Sequence, residues 1–335
     1  MKKLLTTTAL IGLIGSSVSS FAETKVTGSI EQTMNSKSYS GTSNKGDNGL
    51  GQETNLKISS SKDLDNGMGL SGHFQIEDGA VDSTSIKLSS GAIAFEVGTD
   101  TGTNIHSNVN PRVGDQASDA TGVASDSLIR TEAHDSQHVS LSFGNDMGSV
   151  VARYAPGTNG TASGDNSAAS AGGSITEFLF KGSLGVDGLT IIAGQETASE
   201  DSSGSVTKGT GEEVEKVLGF SYGQGAWAIG ASRRTLDDGT TSTVENSIDT
   251  LTAMSATYAI SDTLSIGYER TETEFELSSA TVKDEESDAI TVGYNLGGLG
   301  VTLMYVESEN AGAKGAPGTV GTDIEGVQVR TVYKF

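Results

Sequence analysis

The chain has 335 residues, with no cysteine, three prolines and 45 glycines, and its 43 acidic and 21 basic side chains give a formal charge of −22. The lack of cysteine excludes a disulfide scaffold, and the acidity argues against a nucleic-acid partner, which would need a basic surface. Many glycines with few prolines favour numerous strands joined by tight turns.

Residues 1–22 have the pattern of a secretory signal peptide. Two lysines precede an apolar run, and the small residues Ser20 and Ala22 end the segment. The apolar run is shorter than the roughly 20 residues that a membrane-spanning helix needs, so a removable leader is favoured over an anchor. We predict cleavage after Ala22, which leaves residues 23–335 as the mature chain. No later apolar run is long enough for such a helix, so a membrane location would require a closed barrel.

About 16 segments that alternate with a period of two residues follow the predicted leader, and this period is typical of strands. In chain order they are KVTGSIEQTM, QETNLKISS, MGLSGHFQIE, STSIKLS, AIAFEVG, QHVSLSFG, SVVARYA, SITEFLFKGSL, LTIIAGQET, VEKVLGFSY, AWAIGASRR, IDTLTAMSATYAI, TLSIGYERTETEF, AITVGYNL, LGVTLMYVES and IEGVQVRTVYKF. Turn signals between neighbours predict antiparallel pairing.

The spacers between these segments switch between short and long. Short turns such as KDLDNG and NDMG alternate with polar spacers, the longest of which runs over residues 99–135. With an even number of strands, the short turns fall on one side of the sheet and the long loops on the other, as in outer-membrane barrels. The pattern predicts an all-β fold, a transmembrane antiparallel β-barrel of about 16 strands.

The two faces of the predicted strands differ in polarity. In the fifth segment, Phe95 and Val97 lie on one face and Glu96 lies on the other. Unpaired polar groups in a dry core cost about 1–3 kcal/mol each, so an interior this polar must contain water. Hydrophobic residues make up only 34% of the chain, enough to coat a barrel once but few for filling large cores as well.

The closing segment places alternating apolar and aromatic residues on one face: Val327, Val329, Thr331, Tyr333 and Phe335. Its end VRTVYKF, the opening KVTGSIEQTM and the stretch STSIKLSSGAIAFEVGTD resemble the Gram-negative general porins, which are trimeric outer-membrane barrels of 16 strands. The similarity covers the whole mature chain in strand order.

The resemblance implies passive diffusion of ions and small hydrophilic solutes through a water-filled pore. It also implies a homotrimer among the lipids of the outer membrane, inserted by barrel-assembly machinery that reads the terminal Phe335. The excess of acidic side chains predicts a preference for cations.

In this family the third external loop folds inward and narrows the pore, facing a ladder of basic residues. Here that loop spans residues 99–135 and carries Asp100, Asp115, Asp119, Asp126 and Glu132. The basic candidates are out of phase with apolar neighbours and should face the lumen: Lys57, Lys87 and Arg153. A transverse field between the two groups would order dipolar solutes and favour one sign of ion.

Other interpretations stay open on the sequence alone. A secreted or surface-attached β-rich adhesin would have similar strands, and a substrate-selective channel would share the barrel. The acidic segments 199–215 and 271–288 offer carboxylates for Ca²⁺, but neither has the spacing of a calcium loop, so solvated acids are favoured. His138 and Ser140 would face the pore rather than the lipid surface where a phospholipase acts, so we predict no catalytic residue and no cofactor.

Overall fold

The computed structural model describes residues 23–39, 48–107, 109–114, 137–156, 174–199, 212–237, 248–275, 284–311 and 322–335. Over these ranges the chain has no helix with the length and apolar character needed to cross a membrane. The predicted leader, residues 1–22, lies outside the described residues, so its cleavage stays a prediction.

Sixteen strands are present in the described ranges. The first eight are β1 (Glu23–Tyr39), β2 (Asn48–Asp63), β3 (Gly69–Glu77), β4 (Ala80–Ser90), β5 (Ile93–Thr99), β6 (His138–Asn145), β7 (Gly148–Ala155) and β8 (Ile175–Gly182). The others are β9 (Leu189–Ala198), β10 (Glu213–Gln224), β11 (Trp227–Asp237), β12 (Ile248–Ala259), β13 (Leu264–Phe275), β14 (Glu285–Asn295), β15 (Leu299–Ala311) and β16 (Thr322–Lys334).

The strands form one closed antiparallel sheet, in which consecutive strands pair and β1 also pairs with β16. In the closing pair Ile30 lies opposite Tyr333. Beyond it, Gly28 N donates to Phe335 O and Phe335 N donates to Gly28 O, both at 3.0 Å. Closure pairs the backbone groups that free sheet edges would leave unpaired. The predicted antiparallel barrel of about 16 strands is confirmed.

The two rims of the barrel differ in their connections. At the turn rim, where both termini lie, short turns contain glycines with positive φ, such as Gly91 at 57° and Gly225 at 62°, which glycine adopts without steric cost. The longer connections leave from the loop rim. There β3 and β4 are joined by Asp78 and Gly79, and Asp78 Oδ1 accepts a hydrogen bond from Thr54 N at 2.8 Å. The second external connection is therefore short.

Several strands are longer than the sequence pattern predicts. The pattern indicates a polar spacer over residues 35–51, whereas β1 continues to Tyr39 and β2 begins at Asn48. Likewise, β14 begins at Glu285, inside a predicted acidic spacer. Ser36 has backbone partners on both neighbouring strands. Ladder hydrogen bonds require no apolar side chain, so these strands extend beyond the apolar band.

The outward and inward faces of the strands differ as the alternation predicts. On the outer surface Leu141, Phe178 and Leu218 are 55%, 63% and 66% exposed. Their chain neighbours Ser140 and Glu177 are buried on the inner side. The barrel therefore has an apolar exterior and an interior rich in polar groups.

An ion pair across the closing strands leads to a stability prediction. Arg330 on β16 donates from Nε and Nη2 to Oε1 and Oε2 of Glu31 on β1, both at 2.5 Å. Arg330→Gln removes this bidentate partner from a carboxylate that is 7% exposed. We expect the free energy of unfolding to fall by about 2–4 kcal/mol. The check is the temperature at which the folded barrel loses its faster migration on gels in detergent.

Arg233→Gln is the matched control for that measurement. Arg233 lies 3.8 Å from Glu274, and the two side chains are 60% and 43% exposed. Exposed pairs of this kind contribute about 1 kcal/mol or less, so the control should unfold close to the wild type. Equal unfolding temperatures for the two variants would contradict the prediction.

Candidate functional site

The chain that leaves β5 at the loop rim turns into the barrel and lies against its inner wall. We call residues 101–114 the wall-bound segment; within it, residue 108 is outside the described residues. Ile105 and Val109 pack in a buried cluster with inward side chains of β8, β9 and β10, namely Leu179, Ile192 and Val217. The segment therefore occupies part of the lumen.

Arg153 on β7 fixes the beginning of the wall-bound segment. Its Nη1 donates to Glu177 Oε1 on β8, and its Nη2 donates to the carbonyl oxygens of Thr101 and Thr103 at 2.9 and 3.1 Å. Glu177 Oε2 accepts a hydrogen bond from Ile105 N at 2.9 Å. Arg153 is 3% exposed and Glu177 is fully buried. A buried ion pair needs further hydrogen bonds to offset its desolvation, and here the loop backbone supplies them.

A row of buried carboxylates continues along the wall from Glu177. In the strand register Glu177 lies opposite Glu196, and Glu196 lies opposite Glu215. His106 of the wall-bound segment lies beside the row, with Nε2 3.9 Å from Glu196 Oε1 and Nδ1 3.6 Å from Glu215 Oε1. Arg234 on β11 donates from Nη2 to the His106 carbonyl at 2.7 Å. Polar and charged contacts thus hold the segment where solvent does not screen them.

Two contacts fix the far end of the wall-bound segment. Arg112 donates to both carboxylate oxygens of Glu269 on β13, with Nε to Oε2 at 2.5 Å and Nη2 to Oε1 at 3.0 Å. Asn110 Nδ2 donates to Ser232 Oγ on β11 at 3.1 Å. A bidentate arginine fixes the direction from which its carboxylate is bound. The segment is therefore attached by an Arg–Glu pair at each end.

The wall formed by β1–β5 carries lysines on its inner face. Lys57 and Lys87, together with Lys25, His73 and Glu96, line a cavity of about 360 Å³. Lys87 lies opposite Glu96 in the β4/β5 register. The described residues leave a cavity on this side of the lumen, and the side chains of Lys57, Lys87 and Glu96 are half-buried around it.

The predicted site residues lie in different surroundings. Lys57 and Lys87 share the open cavity, whereas Arg153 is buried beneath the wall-bound segment. Asp100 begins the loop with a φ of 50°. The other predicted loop acids lie outside the described residues: Asp115, Asp119, Asp126 and Glu132. Their part in a transverse field stays a prediction.

The acidic segments considered for calcium and the residue His138 have different outcomes. The acidic segments 199–215 and 271–288 lie partly in strands and partly outside the described residues. Within the described ranges no group of three or more His, Cys, Asp or Glu side chains is placed to hold a metal ion. The preference for solvated acids over calcium binding stays a prediction. His138 is 2% exposed, and its Nε2 lies 3.1 Å from Thr101 Oγ1 at the start of the wall-bound segment.

Sequence reasoning missed most of the residues that hold the wall-bound segment: Glu177, Glu196, Glu215, Arg234, Arg112 and Glu269. Alternation alone could have oriented the wall residues inward, since Glu177 directly precedes the outward Phe178. That these wall residues lie at the same level of the barrel depends on the register of separate hairpins. Which residues they contact depends on the path of the loop.

Comparisons with known proteins agree with this architecture. The model of the Gram-negative porin family matches residues 6–310. No curated protein sequence matches the chain. A refined porin structure has 15% identity and a TM-score of 0.62, covering 93% of this chain and 100% of its own.

Two further structures, from named organisms, are similar. A mutant of the Rh. blastica porin has 12% identity and a TM-score of 0.59, covering 93% of this chain and 100% of its own. Outer-membrane expressed OmpT of Vibrio cholerae has 15% identity and a TM-score of 0.56, and the match covers 95% of this chain and 99% of that protein. At such low sequence identity, these structural matches show a common fold. With the family match over most of its length, the chain belongs to the Gram-negative porin family.

Proposed function

We propose that this porin forms a water-filled pore through which ions and small hydrophilic solutes diffuse passively across the Gram-negative outer membrane. The observation that carries the proposal is a lumen that the wall-bound segment lines on one side and in which the described residues leave a cavity along β1–β5. An apolar exterior around a polar interior is what such a pore requires. We propose no enzymatic activity, because the family and fold are those of channels.

Export and assembly are part of the same proposal. Residues 1–22 would direct export and be removed, and three copies would associate among the lipids of the outer membrane, as in the family. Phe335 would be the signal for the barrel-assembly machinery. Its ring also covers the seam, since a Cβ added at Gly28 would lie 2.6 Å from Phe335 Cζ.

Cation preference is the finer part of the proposal. Loss of the two leader lysines would make the formal charge of −22 two units more negative. On the open wall, Glu53 and Glu77 face the lumen nearer the loop rim than Lys57, and Glu53 lies opposite Glu31 in the β1/β2 register. A negative potential at the pore entrance raises the local concentration of cations.

The proposal also includes a transverse field at the constriction. Its proposed groups are the loop acids Asp100, Asp115, Asp119, Asp126 and Glu132 and the wall cations Lys57, Lys87 and Arg153. The open cavity around Lys57 and Lys87 supports the wall side of this proposal. The buried surroundings of Arg153 favour a structural contribution from that residue.

Ion selectivity tests the proposed function. Purified protein in a planar bilayer should form channels whose reversal potential in a KCl gradient has the sign of cation preference. A carboxylate ~8 Å from an ion in water contributes about 0.5 kcal/mol before screening. Glu53→Gln combined with Glu77→Gln should therefore lower the cation-to-anion permeability ratio roughly two- to five-fold.

The matched control removes the same charge from the outer face. Glu309 and Glu325 are exposed on outward positions of β15 and β16, so changing both to glutamine should leave the permeability ratio near that of the wild type. Anion preference in the wild type, or an equal effect of the two double variants, would refute the proposed selectivity. A protein that forms no channel would refute the proposed function itself.

Arg153→Gln separates two roles of this arginine. Breaking its buried pair with Glu177 should destabilise the folded barrel by about 3–5 kcal/mol and release the start of the wall-bound segment. Thermal unfolding in detergent and open-channel current noise are the measurements, and both should change. Lys87→Gln is the control, because Lys87 lies on the open wall and its loss should alter ion preference with little change in stability. If Arg153→Gln unfolded at the wild-type temperature, Arg153 would be a pore-lining cation rather than a structural residue.

A further inference from the structure

Glycines occupy the inner wall beneath the wall-bound segment. Apart from Gly98, whose contact is with Thr101 three residues further along the chain, five inward-facing glycines of the described strands lie within contact distance of its side chains or backbone. They are Gly194 on β9, Gly219 on β10, Gly230 on β11, Gly267 on β13 and Gly293 on β14. The side chains that rest on them are Ile105, Val109, Pro111 and Val113. Glycine weakens a strand, so its recurrence at these positions calls for a local reason such as close approach of another chain segment.

The contacts at the far end of the wall-bound segment leave no room for a methyl group. A Cβ added at Gly293 would lie 2.6 Å from Val113 Cγ1, and one added at Gly230 would lie 2.6 Å from Pro111 Cδ. Carbon atoms pack at about 3.5–4.0 Å, so a methyl group at either glycine would lift the segment by about 1 Å or more.

The other three contacts are less close. A Cβ added at Gly219 would lie 3.0 Å from Val109 Cγ2, one at Gly267 would lie 3.1 Å from Val113 Cγ2, and one at Gly194 would lie 3.4 Å from Ile105 Cγ2. Val113 therefore rests on glycines of two neighbouring strands, β13 and β14.

We propose that these five glycines form a seat that sets how close the wall-bound segment lies to the barrel wall, and thereby the width of the open lumen. The inference rests on the proposed pore function, and it assigns the glycines as positioning residues for permeation. The seat lies under one side of the lumen only. Solutes therefore pass along the opposite wall, past Lys57 and Lys87.

Substitutions at Gly293 test the seat. Gly293 has no positive φ, so a side chain there strains packing rather than backbone. Single-channel conductance in KCl should fall from wild type to Gly293→Ala and further to Gly293→Val, and the largest permeant polyethylene glycol should become smaller in the same order. Gly300→Val is the control. Gly300 lines the lumen on β15, and a Cβ there would meet only Val332 O at 3.9 Å.

A second variant shows whether a fall in conductance comes from displacement of the wall-bound segment or from misfolding of the barrel. Val113→Ala removes the methyl groups that rest on Gly293, so the double variant Val113→Ala with Gly293→Ala should regain wild-type conductance. The inference is overturned if Gly293→Val and Gly300→Val have the same conductance, or if Val113→Ala does not restore Gly293→Ala.

Cross-linking provides a measurement that does not depend on conduction. The chain has no cysteine, so the pair V113C and G293C can be oxidised without competing thiols. We expect a cross-link that changes gel migration, whereas V113C with G194C should form none, because Gly194 contacts Ile105 instead. Failure of the first pair to cross-link would overturn the seat. If the wild type formed no channel, the proposed function would fail, and this measurement would still decide on the seat.

Discussion

Backbone hydrogen bonding in lipid is the constraint on which the rest of the structure depends. Each unpaired peptide group in hydrocarbon costs several kcal/mol, so the sheet must close. The seam achieves this with paired residues from Ser29 opposite Lys334 to Tyr39 opposite Ile324. Closure then divides side chains by alternation into an outward set for lipid and an inward set for the lumen. Inward side chains cannot fill a barrel of 16 strands, so the inward set meets water unless a loop covers it.

The wall-bound segment covers the inward side chains on one side of the barrel. The charged groups beneath it are therefore buried rather than exposed to the lumen. On β8–β10, Glu177, Glu196 and Glu215 are fully buried and would be costly there without cations and hydrogen-bond donors. Arg153 and the loop backbone supply those partners to Glu177. Lys57, Lys87 and Glu96 on β2, β4 and β5 line a cavity instead, where water screens their charges. The path of the loop therefore decides which charges hold the structure and which meet solutes.

The strand count and the orientation of the faces follow from the sequence because period-two alternation is local. The ends of β1 and β2 do not follow from the sequence. Residues beyond the apolar band pair through their backbones, and no alternation of apolar side chains marks them. Arg153 shows the same limit: alternation gives its inward direction, but its burial depends on contacts with Thr101 and Thr103, about 50 residues away along the chain.

The attachment of the loop depends on even longer separations. Arg112 binds Glu269 across 157 residues, and no short motif joins the two. The closeness of the loop to the wall is likewise invisible in a single sequence. A glycine within a strand predicts a bulge, a bend or close approach equally well, and only the path of the loop selects between them.

Ion pairs and glycine contacts act on different properties of the wall-bound segment. An arginine reaches its carboxylate through several rotatable bonds, so the pair of Arg112 and Glu269 tolerates a range of heights above the wall. Packing contacts do not, because repulsion between carbon atoms rises steeply below their contact distance. The ion pairs therefore determine whether the segment is held, and the contacts of Val113 with Gly267 and Gly293 determine how closely. Under the proposed function, pore width then follows from these small side chains, and the charges on the opposite wall would decide which ions enter.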